Sequence, residues 1–175
     1  MTAERENIIN IILGRRASGK STAQANEFIP ADLAAGKTVM VILTKENPVF
    51  DKFKGNPKVH ILTIAGVQEI TPLLKASYNC SYYFDDARGL FGLQMDTEVM
   101  RLIIYSRQMN CDLHFCYHSF KKTCLSLYDI CDCYTIFETK DTPQERKQFF
   151  SQEEIEEINL QRSQLKKYEH FVFVQ

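Results

Sequence analysis

The sequence "LGRRASGKST" (residues 13–22) decides the fold. Gly14, four further residues and then Gly19-Lys20-Ser21 match the phosphate-loop pattern G-x-x-x-x-G-K-[ST]. The match follows a β-branched apolar run and opens a predicted helix, which is the context that phosphate binding requires. The glycines let the backbone fold closely around phosphates, while the loop N–H groups and the helix N-terminus hold the anion. A chance match in a chain of this length has a probability on the order of one percent or less, so we predict nucleotide binding.

The residues of this loop have distinct expected roles. Lys20 should reach the β- and γ-phosphates, and the Ser21 hydroxyl should coordinate Mg²⁺. We therefore predict ATP and Mg²⁺ as ligands, with Lys20 in a catalytic role and Ser21 as a metal ligand. The predicted ATP-binding residues are Gly14, Arg15, Arg16, Ala17, Ser18, Gly19, Lys20, Ser21 and Thr22.

Strand-like and helix-like segments alternate along the chain. Strands are predicted at residues 8–13, 38–44, 59–64, 81–84, 112–118, 134–139 and 170–174. Helices are predicted from about residue 19 and over residues 67–78, 96–109 and 145–167, with a short helix or turn at 124–131. Pro30 should kink or end the first helix, and Gly36 is a plausible cap. Residues 45–58, rich in Lys, Asn and Pro, are typical of a loop.

This alternation predicts an α/β fold, a mostly parallel central sheet flanked by helices on both faces, as in P-loop NTPases. The chain has 175 residues, 45% of them apolar, so we expect one domain over residues 1–175. The N-terminal "MTAERENI" is charged and polar, and the apolar runs are too short to cross a membrane. We therefore expect a soluble, intracellular protein without signal peptide or membrane segment.

Charge and cysteine usage narrow the classes of function. A net charge of −1 gives no global basic field, so any nucleic-acid contact would come from a local patch or from a ring of subunits. The six cysteines contain no CxxC pair, and a cytosolic α/β protein usually uses free cysteine as a small buried hydrophobe. His114, Cys116 and His118 would share one face of a strand, but packing together with one functional His at the strand end is a better interpretation than zinc binding.

The sequence "YYFDDARG" (residues 82–89) is an apolar strand that ends in two acids. A phosphate-loop protein needs a carboxylate on a neighbouring strand to hold Mg²⁺, and Asp85 is the best candidate. Without the loop, a solvated turn would explain the pair better. Asp86 could orient or deprotonate a water that attacks the γ-phosphate, which favours hydrolysis over transfer to a small molecule.

His118 ends the strand that follows the acid-bearing one. Parallel strands bring their carboxyl ends to the rim that holds the phosphate loop, so a polar residue there can sense the γ-phosphate. A capping or surface histidine is an equally good interpretation. Lys121 and Lys122, just beyond, could contact a nucleic-acid backbone, although adjacent lysines are more often a solvated loop.

With these residues in place, the chain resembles the genome-packaging ATPases of tailless icosahedral viruses, a branch of the FtsK–HerA superfamily of DNA-pumping ATPases. The resemblance covers most of the chain and rests on these segments: "IILGRRASGKST", "YYFDDA", "YSRQMNCDLHFCYHS", "DICDCYTIFETKDTPQERKQF" and "LKKYEHFVFV". It implies a RecA/FtsK-like fold, with Lys20 and Ser21 as Walker A residues and Asp85 as the Walker B metal ligand.

The resemblance also implies roles for three further residues. Asp86 falls where the family usually has a catalytic Glu, and His118 where it usually has a Gln that ends the sensor strand. Arg107 falls on an Arg that commonly precedes this strand and resembles a trans-acting arginine finger, which contributes roughly 10³ to 10⁵ in rate. Arg88 and Arg101 are rival candidates for the finger, and a surface ion pair is the alternative for all three.

The function implied is an ATP-hydrolysing motor that translocates double-stranded DNA into a viral or phage capsid. Its expected partners are double-stranded DNA, other copies in a homo-oligomeric ring and a capsid or portal vertex protein, in the host cytoplasm or on the procapsid. One alternative is a nucleoside or nucleotide kinase, which normally needs an Arg-rich lid that we do not find. Another is a filamentous-phage-type assembly ATPase, similar to the zonular-occludens-toxin group, which would need a membrane segment.

Overall fold

A seven-stranded sheet forms the centre of the computed structural model, which describes residues 7–175. The order across the sheet is β3-β2-β4-β5-β1-β6-β7, and every neighbouring pair is parallel except the antiparallel pair β6–β7. The strands are β1 (Ile9–Leu13), β2 (Thr38–Leu43), β3 (Val59–Thr63), β4 (Cys80–Asp85), β5 (Asp112–Tyr117), β6 (Cys133–Phe137) and β7 (His170–Val174). All seven predicted strands are therefore present, with ends shifted by at most two residues.

Seven α-helices connect these strands, together with short 3₁₀ turns. The helices are α1 (Lys20–Ala23), α2 (Ile29–Ala34), α3 (Ile70–Ala76), α4 (Ala87–Phe91), α5 (Thr97–Ser106), α6 (Leu125–Tyr128) and α7 (Gln152–Gln164). The 3₁₀ turns span Pro48–Phe53, Val67–Glu69, Phe120–Lys122 and Pro143–Arg146. In the described chain, no helix is both long and apolar enough to cross a membrane. Residues 1–6, for which no signal peptide is expected, lie outside the described residues.

Helices cover both faces of the sheet. Tyr82 and Phe84 of β4 pack on one face with apolar residues of α3 to α7. Tyr83, whose side chain points the opposite way, packs with Val41 of β2 and Ile29 of α2. The α/β class with flanking helices on both faces, predicted from the sequence, is therefore confirmed.

Helices α1 and α2 form one continuous helix that contains a π-helical turn, Gln24–Phe28. The ring of a proline clashes with the carbonyl group four residues earlier, here that of Asn26. The π turn precedes Pro30, and its Ile29 N–H donates to Gln24 O, five residues back. The helix ends where Lys37 N–H donates to Asp32 O (3.0 Å) across Gly36, whose φ is +83°. Pro30 therefore follows a π-helical turn and does not end the helix. The helix ends at Gly36, as predicted.

Three segments differ from the sequence-based expectation, and the first is α4 (Ala87–Phe91), which was not predicted. The helix predicted over residues 145–167 begins only at Gln152, because the Ser151 side chain accepts from Glu154 N–H and Glu154 accepts in return from Ser151 N–H. Residues 45–58 are not an exposed loop throughout. Their 3₁₀ turn places Phe50, which is fully buried, in the core beside α2.

The strand order determines which strands place their carboxyl ends side by side. Strand β5 lies between β1, which leads into the phosphate loop, and β4, which ends in Asp85. In this register Leu13 of β1 is opposite Tyr117 of β5, and Phe84 of β4 is opposite Phe115. The carboxyl ends of the three strands therefore share one rim.

Candidate nucleotide-binding site

The phosphate loop is attached to the strands on both sides of β1. Gly14 N–H donates to Tyr117 O on β5 (3.2 Å), and Arg15 N–H donates to Glu138 O after β6 (2.8 Å). A side chain at position 14 would place its Cβ 2.5 Å from Ser18 Oγ and 2.7 Å from Phe137 Cβ, so only glycine fits. Gly19 has φ +99°, a left-handed conformation that favours glycine. Both glycines of the motif are thus needed for the loop's shape.

Lys20 lies inside the loop and is only 7% exposed. Its Nζ donates to the carbonyl oxygens of Gly14 (2.5 Å) and Arg15 (3.1 Å). Burial lowers the pKa of Lys20, while the nearby charges of Asp85 and Asp86 raise it. The ammonium group is therefore desolvated and held by carbonyl dipoles, a position from which it can exchange those carbonyls for phosphate oxygens.

Ser21 and Asp85 are in direct contact at the start of α1. Ser21 Oγ donates to Asp85 Oδ1 (3.1 Å), and Asn47 Nδ2 donates to Asp85 Oδ2 (3.0 Å). Asp85 faces the loop because alternate side chains of β4 point to opposite faces, and it shares the α1 face with Tyr83. The two predicted metal ligands are thus adjacent, and both carboxylate oxygens have fixed orientations.

Asp86 and His118 form the second polar pair at this rim. His118 Nε2 lies 3.7 Å from Asp86 Oδ1, and His118 Nδ1 lies 3.5 Å from Lys20 Nζ. Asp86 has φ +59° and ψ +55°, a left-handed conformation that Asp tolerates better than most residues. This conformation lets consecutive acids, Asp85 and Asp86, both line the same cleft.

A cleft of about 380 Å³ connects these side chains. It contains most of the predicted site and three residues that the sequence analysis did not select. Its lining residues are Arg16, Ala17, Ser18, Gly19, Lys20, Ser21, Thr22, Lys45, Asn47, Val49, Asp85, Asp86 and His118. Gly14 and Arg15 form the start of the loop beside it, where Arg15 Nη2 pairs with Glu138 Oε2 (2.7 Å).

The residues that the sequence analysis missed include Asn47 and Lys45, because both lie in a polar segment without periodicity. Asn47 precedes Pro48 and caps its 3₁₀ turn, since Asn47 Oδ1 accepts from Val49 N–H (3.2 Å). The opposite end of the same amide orients Asp85. An Asn directly before Pro is a turn signal, but its contact with β4 follows only from the fold.

The proposed arginine fingers lie outside the cleft. Arg107 follows α5, where its Nη2 donates to Asp132 Oδ1 (2.8 Å) and to Ile130 O (3.0 Å). Both partners directly precede β6, at its amino end and therefore opposite the rim that carries the loop. Arg101 is exposed on α5, and Arg88 is half-buried in α4. Within one copy of the chain, none of the three lines the cleft with Lys20.

The protonation of His118 gives a first testable prediction. Burial lowers its pKa, Lys20 lowers it further, and Asp86 opposes both. Because the folded-state pKa lies below the usual value of about 6.5, the native state binds fewer protons than the unfolded state near that pH. The contribution of His118 to the free energy of unfolding is therefore greatest above about pH 6.5 and decreases as pH falls toward the folded-state pKa.

An NMR titration of the His118 ring should give a midpoint below about 6.5. In the Lys20→Met variant, which keeps most of the lysine stem but removes the charge, the midpoint should rise. A His118 midpoint at or above about 6.5, unaffected by Lys20→Met, would contradict the described electrostatics.

Comparison with known proteins connects this geometry to solved structures. No protein-family model matches the chain, and no curated protein matches it either. The DNA-packaging ATPase B204 from Sulfolobus Turreted Icosahedral Virus matches with a TM-score of 0.77 and 17% identity, over 97% of this chain and 94% of that one. The genome packaging NTPase B204 from Sulfolobus turreted icosahedral virus 2, in complex with ATP-gammaS, matches with a TM-score of 0.75 and 16% identity, over 97% and 93%.

A third structure, of the same NTPase with AMPPCP, has a TM-score of 0.75, 16% identity and the same coverage. Each match extends over nearly the whole of both chains, so the similarity includes the entire sheet and its helices as well as the phosphate loop. The fold expected from the sequence resemblance is thereby confirmed, and the chain has the P-loop fold of a viral genome-packaging NTPase.

Proposed function

We propose that this protein is a Mg²⁺-dependent ATPase that acts as a motor and moves double-stranded DNA into a viral capsid. The observation that carries the proposal is the contact between Ser21 and Asp85 inside a cleft that also contains Lys20, Asp86 and His118. Phosphate-loop ATPases use such a Lys, Ser and Asp to bind a metal–nucleotide complex. Asp86 and His118 take the places of the usual Glu and Gln that act on the attacking water and the γ-phosphate. The fold shared with a packaging NTPase supports the same conclusion.

The donor set at Ser21 and Asp85 fits Mg²⁺. This ion prefers oxygen ligands, is usually held by only one or two carboxylates together with substrate phosphates, and retains several waters. The Ser21 hydroxyl and the Asp85 carboxylate would hold it, with Asn47 fixing the carboxylate. When bound, the ion would neutralise negative charge on the phosphate oxygens.

The residues of the cleft have different roles in the proposed hydrolysis of ATP. Backbone N–H groups of the loop and the N-terminus of α1 bind the phosphates, and Lys20 transfers its hydrogen bonds from loop carbonyls to phosphate oxygens. Asp86 accepts a proton from the attacking water as its oxygen bonds to the γ-phosphorus and the bond to the leaving ADP oxygen breaks. With its proton on Nε2, a neutral His118 donates toward Asp86 and keeps that carboxylate aimed at the water.

DNA contact is assigned to the loop after β5. Lys121 is 72% exposed on its side chain and lies 4.0 Å from Glu145, while Lys122 is exposed beside it. Each copy in a ring would present these lysines to the phosphate backbone, which compensates for the small net charge of one chain. Arg107 would complete the site of a neighbouring copy, and to do so it would have to leave Asp132. The motor would act in the host cytoplasm, docked on a capsid or portal vertex.

ATP turnover by the purified full chain tests the proposal. ATP with Mg²⁺ should yield ADP and free phosphate without a small acceptor, and linear double-stranded DNA should increase the rate. Transfer of the phosphate to a nucleoside, without any response to DNA, would instead identify a kinase. An ATP hydrolysis rate that does not change with DNA would support the ATPase activity but contradict the role as a DNA motor.

The double variant Lys121→Ala/Lys122→Ala should keep the basal ATPase rate, because neither lysine lines the cleft. The stimulation of its ATPase rate by DNA should fall. The slope of log K for DNA binding against log salt is negative, and its magnitude should decrease by about 2 per copy. The double variant Lys52→Ala/Lys54→Ala, at two exposed positions of the segment between β2 and β3, removes the same charge elsewhere. An equal loss in both variants would mean that total charge, and not this loop, determines DNA binding.

A further inference from the structure

Tyr168, in the turn between α7 and β7, lies directly against Gly19 of the phosphate loop. A Cβ built on Gly19 would be 3.1 Å from Tyr168 Cδ1 and 3.5 Å from Tyr168 Cα. The tyrosine is nevertheless 59% exposed, so most of its ring surface is in contact with solvent. An aromatic ring that touches the glycine preceding the phosphate-binding lysine is therefore available to a ligand.

The orientation of a bound nucleoside triphosphate follows from which residues lie on each side of the phosphate loop. Asp85, Asp86 and His118 are on the side of β4 and β5, so the γ-phosphate must point that way. Glu138 and Tyr168 are on the other side, toward β6 and β7, where Arg15 N–H donates to Glu138 O. An extended triphosphate anchored at its γ end therefore directs its ribose and base toward β6 and β7, the side on which Tyr168 lies.

The tyrosine is held in place by its own turn. Glu169 N–H donates to Lys166 O (3.1 Å), and Lys166 N–H donates to Glu169 Oε2 (2.9 Å), which closes residues 166–169 between α7 and β7. Lys167 Nζ lies 4.8 Å from the centre of the Tyr168 ring. This cation contacts the π system, and the 59% of the tyrosine that is exposed remains available to a planar ligand.

We propose that Tyr168 is the stacking platform for the base of the bound nucleotide. This assignment rests on the function proposed above and identifies how the same site holds the nucleoside part of its substrate. Aromatic stacking accepts every base, because each base has a π face. The site should consequently bind ATP and GTP with similar affinity, unlike a pocket that recognises the base by its hydrogen-bonding edge.

A comparison of ATP with inorganic triphosphate, which has no base, tests the platform by calorimetry on the full chain. Tyr168 has φ +73°, and Asn tolerates this conformation, so Tyr168→Asn removes the ring with little backbone cost. We expect ATP affinity to fall about 5- to 150-fold in Tyr168→Asn, with unchanged affinity for inorganic triphosphate. Tyr168→Phe should bind ATP as the wild type does. Tyr78→Asn, at a tyrosine that is 69% exposed at another turn, should have no effect.

The outcomes separate this assignment from the proposed function. Unchanged ATP affinity in Tyr168→Asn, or an equal loss for inorganic triphosphate, would overturn the platform while leaving the ATPase intact. Failure of the wild type to bind either ligand would overturn the nucleotide site itself. The chain has no tryptophan, so Tyr168→Trp introduces a single tryptophan, whose emission can be excited apart from that of the tyrosines. ATP should quench its emission and inorganic triphosphate should not, and an identical response to both ligands would also exclude stacking.

Discussion

Replacing Lys20 with methionine is expected to lower ATP hydrolysis by about 10²-fold or more and to weaken ATP binding. The Lys20 ammonium is buried in the loop and desolvated, so its attraction to phosphate oxygens is stronger than that of an exposed lysine. Its present acceptors, the Gly14 and Arg15 carbonyls, lie on the inner surface of the same loop. Without the ammonium, no other lysine of the described loop occupies that position.

Methionine is preferred over alanine because it fills most of the space of the lysine stem. Thermal unfolding should show that Lys20→Met is folded, and calorimetry with ATP then measures binding apart from turnover. Lys75→Ala, on α3 with a side chain that is 57% exposed, is the matched control and should retain wild-type activity. Wild-type ATP turnover in Lys20→Met would show that the loop does not hold the reacting phosphates.

Most of the fold could be predicted because its signals are local. Buried parallel strands give continuous apolar runs, and the runs in β2 and β4 are nearly fully buried, as expected when helices cover both faces. The break before α7 also had a local signal, the capping box of Ser151 and Glu154. The burial of Phe50 had none, since a loop-like composition does not reveal that one aromatic side chain reaches the core.

Only part of the candidate site could be predicted from the sequence. Asp85 and His118 end parallel strands, and the common rim of such strands brings them near the loop without knowledge of the strand order. Asn47 and Tyr168 could not be predicted in this way, because each reaches the loop through a turn whose path depends on tertiary packing. Residues that reach the site from turns, such as Asn47 and Tyr168, are thus harder to predict than residues at strand ends, such as Asp85 and His118.

Replacing Asp86 with asparagine is expected to leave ATP binding intact and to lower turnover by about 10² to 10⁴-fold. Asn adopts the left-handed backbone conformation of Asp86 at least as readily as Asp, so the change removes a negative charge and a proton acceptor without altering the turn. Ser21 and Asp85 keep their hydrogen bond, and Lys20 keeps its bonds to the loop carbonyls. The variant should therefore bind ATP with Mg²⁺ and fail at the step that activates water.

The neighbouring substitution Asp85→Asn is the sharpest control for this result. It removes the proposed metal ligand, so it should weaken the Mg²⁺-dependent part of ATP binding, which Asp86→Asn should retain. Single-turnover assays with excess protein would measure cleavage apart from product release. Full activity of Asp86→Asn would transfer the role of base to another group of the cleft, for which His118, with its Nε2 3.7 Å from Asp86 Oδ1, is the candidate. A loss of ATP binding equal to that of Asp85→Asn would instead mean that both acids act on the metal.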